Sequence, residues 1–438
     1  MFKPQNKEEL QKLVADESVG LGEIDTSAIT DMAYLFEGSS RRDFSGIEKW
    51  DVSNVTDMRA MFSYAKYFNA PIGAWNVANV QNMAQMFSDA PIFNQALNAW
   101  NVANVTDMNQ MFSMASTLRF APDIVPSFNQ NLNAWNVANV CDMQAMFEGC
   151  VQFNQPLDLW NVENVCDMQR MFAGCTVFNQ SLENWNVSNV ENMTDMFHGA
   201  EMFNQPLEKW NVAKVVTMEG LFDSAKSFNQ PLAAWNVENV ENMNDMFHGA
   251  SSFNQPLAAW NVAKVTDMEG MFDDAASFNQ ALNAWNVGNV VDMSRMFYDA
   301  VLFNQPLDLW DVSKVEEMDD MFHGAASFNQ NLEKWNVANV QDMGGMFDSA
   351  ILFNQPLNAW NVANVKDMSG MFYGATSFNQ PLDSWDVSKV ENLRDMFRSA
   401  ASFKQNLNAW NPLACEKNYR HRVFDKTPLQ NNPPEWAK

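Results

Sequence analysis

Tryptophan recurs at residues 50, 75, 100, 135, 160, 185, 210, 235, 260, 285, 310, 335, 360, 385 and 410, so thirteen of the fourteen intervals are 25 residues and one is 35. A period of that length leaves few folds open. A 25-residue unit is too short to bury its own large side chains, so the core has to form between neighbouring copies. Counted from each Trp, the unit reads W-N-V-A-N-V-x-D-M-x-x-M-F-x-x-A-x-x-F-N-Q-P-L-x-x. Twenty-six of the thirty Met fill its two Met places, and Leu221 and Leu393 stand in at the exceptions. The 438 residues therefore predict one repeated array, not a set of unrelated domains.

The apolar spacing predicts an α/β solenoid, a leucine-rich-repeat-like stack of about fifteen coils. Across each junction the pattern is L-x-x-W-x-V, as in Leu232, Trp235 and Val237. That alternation predicts a short parallel strand with Trp and Val inward and Asn outward. Val240, Met243, Met246, Phe247 and Ala250 then fall at i, i+3, i+6, i+7 and i+10, which predicts one face of a short helix capped by Asn239. At roughly 4.8 Å per stacked strand, the array is expected to be on the order of 70 Å long.

The ends differ from the body. Residues 1–46 read as an N-terminal cap with a degenerate first repeat, 47–411 as the repeats, and 412–438 as a C-terminal cap and tail. Asn6 to Asp16 predicts a short polar helix, capped by Asn6 with Glu9 completing the box. After Trp410, Pro412 ends the pattern.

Units such as Phe253-Asn254-Gln255-Pro256-Leu257, Trp260-Asn261-Val262 and Val265-Thr266-Asp267-Met268 with Met271-Phe272 resemble the BspA-like leucine-rich-repeat surface proteins, in their 25-residue Trp/Met/Phe-rich subtype. The resemblance covers about residues 20–412. It implies a leucine-rich-repeat-like solenoid and a non-catalytic, adhesin-like role at the cell surface, engaging a host or matrix protein or a glycan. The alternative is an intracellular structural or protein-interaction repeat protein. That alternative draws on the N-terminus, where Met1 to Leu10 lacks the apolar core of a secretory signal.

Charge narrows the partners. With 27 basic and 53 acidic residues, a net of −26, the chain is expected to repel nucleic acid and anionic lipid. No apolar run approaches the length needed to span a bilayer, so no membrane insertion is expected. No cofactor or metal is expected either. The paired Met read as core filler, and the Asp or Asn before the first Met as helix-start chemistry. Three of the four His (His198, His248 and His323) occupy one repeat place expected to be an exposed helix end. No catalytic motif is present, and the chain is expected not to be an enzyme.

Three features remain as candidate sites. The residue after Trp is Asn in twelve of fifteen copies, including Asn101, Asn136, Asn161, Asn186, Asn211, Asn236, Asn261 and Asn286. Such a row either binds a long repetitive ligand or has its amides bonded to one another up the stack. Cys141 and Cys166 share one repeat place and Cys150 and Cys175 another, so equivalent residues of neighbouring coils come close; Cys141 and Cys166 are a candidate disulfide or thiol pair, whereas Cys150 and Cys175, in the place of the usual Ala, read more simply as buried small residues. The single long interval comes from ten extra residues, 117–126. Insertions in solenoids map to loops on one face, and Arg119, Phe120, Ile124 and Val125 make this one a candidate contact surface.

Overall fold

The computed structural model describes residues 1–438, in two compact units, Met1–Val215 and Val216–Lys438. Each unit is a stack of the 25-residue coils, and the repeats contain almost no regular secondary structure. The α-helices are α1 (Lys7–Ala15), ahead of the first Trp repeat, and α2 (Ala115–Phe120), at the insertion. As expected, Asn6 Oδ1 accepts from the Glu9 N–H at 3.0 Å, and Glu9 reaches back to the Gln5 N–H at 2.8 Å.

The coils depart from the predicted strand-plus-helix. Each apolar three-residue step is the two ends of a turn. The Trp235 N–H donates to the Leu232 carbonyl, Val240 to Val237, Met246 to Met243, Ala250 to Phe247 and Phe253 to Ala250, all at 2.9–3.2 Å. A spacing of three suits consecutive turns better than a helix, which needs 3.6 and would not hold left-handed residues in its middle. Two places per coil are left-handed, such as Gln85 (φ 58°) and Asp89 (φ 50°), or Asp245 (φ 53°) and Gly249 (φ 62°). Each sits third in a turn, where a type II turn requires positive φ.

The N–H groups not used within a turn bond to the next coil. Met83, Gln85, Phe87 and Asp89 donate to the carbonyls of Asp107, Asn109, Met111 and Ser113 at 2.7–3.0 Å. Between them, Met86, Ser88 and Ala90 close turns within their own coil. The backbone is thus satisfied alternately along and across the stack, which is what burial demands. The parallel pairing lies at the residue before the first Met (Asp57 with Asn82, Asn242 with Asp267), not at the predicted L-x-x-W-x-V segment.

The core is aromatic and thioether. Met243, Met246, Phe247 and Phe253 are fully buried and Trp260 nearly so. Trp260 stacks on Trp285 at 6.4 Å, Phe247 on Phe272 at 5.6 Å and Phe253 on Phe278 at 6.1 Å, while Phe247 and Phe253 pair within one coil at 4.1 Å. Such pairs contribute about 0.5–1.5 kcal/mol each beyond area burial. Each indole N–H needs an acceptor in this apolar interior, and the preceding coil supplies it: Trp260 Nε1 donates to the Leu232 carbonyl at 3.0 Å.

The C-terminal segment extends the pattern further than its sequence shows. Leu393, Phe397 and Ser399 donate to the carbonyls of Tyr419, Val423 and Asp425. Phe424 stacks on Phe397 at 5.7 Å, and Trp436 on Trp410 at 5.7 Å. The segment thus continues the ladder and the aromatic stacks as an irregular coil.

Candidate functional site

The insertion builds a cleft. The ladder runs undisturbed to Met114, whose N–H donates to the Glu148 carbonyl at 2.6 Å. Met114 has φ −118° where neighbouring coils are left-handed, and the chain turns into α2. Asp89 Oδ1 accepts from the Thr117 N–H at 2.5 Å, and the Tyr64 and Ser116 hydroxyls meet at 2.9 Å. Leu118 lies over Gly149, where an added Cβ would come within 2.8 Å of Leu118 Cδ1 and 3.2 Å of the Met114 carbonyl carbon. Rejoining follows at once: the Ser127 N–H donates to the Pro91 carbonyl at 3.0 Å, and Phe128 packs on Phe112 at 4.0 Å.

Between α2 and the neighbouring coils lies a cleft of about 280 Å³, with Tyr64, Pro91, Phe120 and Ile124 among its walls. Phe120 is 75% exposed and Val125 59%. Ile124 is half-buried in the wall, and the Arg119 guanidinium lies 5.2 Å from the Phe120 ring centre. The structure therefore brings Phe120 and Ile124 together at one opening, with Arg119 beside the Phe120 ring, while Val125 is exposed and does not line it. Sequence reading missed the other wall, Tyr64 and Pro91, because it comes from coils preceding the insertion.

The row of Asn after Trp is exposed, but it does not bond up the stack. The Ala138 N–H donates to Asn136 Oδ1, and Ala103 to Asn101, Glu163 to Asn161, Ser188 to Asn186, Ala213 to Asn211, Glu238 to Asn236, Ala263 to Asn261 and Gly288 to Asn286, at 3.2–3.3 Å. Each Asn closes a local Asx turn, which a short amide does better than reaching the next coil. The amide ladder belongs instead to F-N-Q: Asn254 N–H and Gln255 Nε2 both donate to Asn229 Oδ1 at 3.0 Å, and Asn254 Oδ1 accepts likewise from Asn279. Nor does Asn239 cap a helix; its Oδ1 accepts from Lys264 Nζ at 2.6 Å.

All five cysteines are free. Cys141 and Cys166 are exposed neighbours, with Cys166 Sγ 3.5 Å from the Cys141 carbonyl, and partial burial raises the Cys166 thiol. Cys150 and Cys175 are buried in the place of the usual Ala, and burial pushes both thiols far up. Thiols raised in this way, Cys150, Cys166 and Cys175, are not activated as nucleophiles.

A column of charge runs along the place after M-F. His248 and His323 are half-buried in ion pairs there, not on an exposed helix end. His248 Nδ1 lies 3.0 Å from Asp223 Oδ1, and that bond, outweighing the opposing effect of burial, raises its pKa to about 9. A histidine held protonated at neutral pH is poorly suited to general-base work. Arg295 Nε donates to Asp273 Oδ2 at 2.8 Å, and Arg170 in the other unit bridges Glu148 and Asp195 at 2.6 and 2.9 Å. His323 stacks on Tyr298 at 4.3 Å and lines a cleft of about 480 Å³ with Asp342 and Asp348, whose carboxyls burial pushes up. Single copies hide this column; comparing residues 25 apart reveals it.

A repeat-family comparison matches five overlapping segments, 8–124, 117–234, 218–335, 292–410 and 321–436, to DUF285, described as a Mycoplasma protein of unknown function. The chain belongs to the DUF285 family. Among curated proteins no similar sequence is found for this DUF285 chain. Solved structures with a measurable likeness include the TLR13–ssRNA13 complex, at 12% identity and TM-score 0.23 over 86% of this chain and 56% of that one. Another is the plant peptide hormone receptor RGFR1 with RGF2, at 7% identity and TM-score 0.21 over 86% and 73%. The DUF285 chain thus spans little more than half the length of the first. No helix in it is long and apolar enough to cross a membrane.

Proposed function

We propose that this DUF285 chain is a non-catalytic binding scaffold of the BspA-like kind, an adhesin-like protein that engages a host or matrix protein or a glycan at the cell surface. On this reading residues 1–46 and 412–438 cap the repeats of 47–411. The observation that carries the proposal is the apolar opening under α2, with Phe120 three-quarters exposed at its rim. An exposed aromatic beside a guanidinium, over a largely apolar cleft, is the chemistry of interface anchors. Arg119, Phe120, Ile124 and Val125 form the contact. The exposed row of Asn101, Asn136, Asn161, Asn186, Asn211, Asn236, Asn261 and Asn286 offers amides at regular intervals to an extended or repetitive ligand. The exposed thiols of Cys141 and Cys166 complete the irregular region.

The test is binding to a panel of immobilised matrix proteins and glycans, using the whole chain and a Phe120→Ser/Ile124→Ser variant. The variant should keep the parent's thermal unfolding and lose about tenfold or more in affinity, as when an interface anchor is removed. Equal binding by the two proteins removes the cleft from the account. Loss only on replacing Asn136, Asn161 and Asn186 by Leu would transfer the site to the Asn row.

A further inference from the structure

Well away in sequence from the α2 cleft, ligand-type donors of one histidine and two aspartates meet at a buried carboxylate that has one unpartnered oxygen. His248, Asp273 and Asp274 each offer a donor atom, and these lie within 4.8 Å of one another. Asp273 is only 2% exposed. Its Oδ2 accepts from Arg295 Nε at 2.8 Å and lies 2.6 Å from Nη2, whereas its Oδ1 is buried without a hydrogen-bond partner. A carboxylate oxygen in that state costs free energy that a bound cation would remove.

The surroundings fit an ion. Asp223 Oδ1 lies 3.0 Å from His248 Nδ1, so Nε2 is the imidazole nitrogen that Asp223 does not engage. A carboxylate behind a histidine is the arrangement that orients metal-binding imidazoles. The Gly249 N–H donates to the Asp273 carbonyl at 2.7 Å and fixes one coil against the next. Asp274, exposed, opens the place to solvent.

We propose that His248, Asp273 and Asp274 bind a zinc-type divalent ion. One imidazole nitrogen and two carboxylates, with a fourth position for water, match that ion's preferences. Calcium asks for six to eight oxygens, more than three side chains provide. Arg295 stays on Oδ2 and keeps Asp273 to a single bond with the metal.

The test uses the full chain with Cys141→Ser and Cys166→Ser, so that exposed thiols cannot take up the metal, and titrates Zn²⁺ alone near neutral pH by calorimetry. One ion per chain is expected. His248→Ala and Asp274→Asn should each weaken uptake about tenfold or more, while Asp342→Asn, in a separate carboxylate cluster, leaves it unchanged. Asp273→Asn should do the same as the first two; if it impairs folding, the more accessible Asp274→Asn decides. No saturable uptake, uptake indifferent to His248→Ala and Asp274→Asn, or loss only with Asp342→Asn would overturn the assignment.

Discussion

The coil that carries the insertion and an uninterrupted coil such as the one around Gly249 use the same ladder and then part. Phe87, Asp89, Phe112 and Met114 all donate to the following coil, and the Phe112–Phe128 pair keeps the 4.0 Å spacing of Phe87–Phe93. What changes is the turn after Phe112. Asp89 and Gly149 are left-handed and Met114 is not, the Ala115 N–H turns to Ser113 Oγ where Ala90 closes a turn onto Phe87, and ten extra residues leave the stack while the ring spacing is kept. The comparison teaches that the interior fixes the coil while the surface of a turn is free to carry something new.

The largest effect should come from the shared part. Trp260→Ala removes an indole from the spine and its bond to the Leu232 carbonyl. A loss of about 3–5 kcal/mol is expected from urea unfolding, as for other large-to-small core changes; a loss below about 1 kcal/mol would break the claim that the aromatic spines hold the coils. A smaller effect should separate the two coils. Gly149→Ala places a methyl against Leu118 and the Met114 backbone, whereas Gly249→Ala meets only Ser224 at 3.3–3.5 Å. Both accept a left-handed Ala, at about 1–2 kcal/mol, but Gly149→Ala should cost more and loosen α2, seen as faster proteolysis after Arg119. Equal costs would mean that α2 does not rest on Gly149.

Much of this was legible in the sequence. The period, the inward Trp, Met and Phe, the α1 cap and the place of the insertion all follow from side-chain chemistry and spacing. The coil backbone did not. Val240, Met243 and Met246 have a three-residue step that helices and consecutive turns share, and the deciding signal was the company they keep. Gly220, Asp245 and Gly270 fill one repeat place and Gly249, Asp274 and Asp299 another; all six are left-handed. Gly and Asp recurring at fixed places argue for turns and against a helix interior. Half of the cleft was hidden for another reason: Tyr64 and Pro91 reach α2 from coils remote in sequence, and nothing local to them marks a contact. The charge column of Asp223, His248 and Asp273 needed the copies to be aligned by place, with the variation itself taken as the signal.

The most direct test of the turn-built coil is a set of backbone carbon chemical shifts and amide exchange rates across Val240–Ala250. The structure predicts left-handed shifts at Asp245 and Gly249, with slow exchange at Met243, Asp245, Phe247 and Gly249, whose N–H groups bond to the next coil. A continuous run of helical shifts through Met243, Asp245 and Phe247 would contradict it.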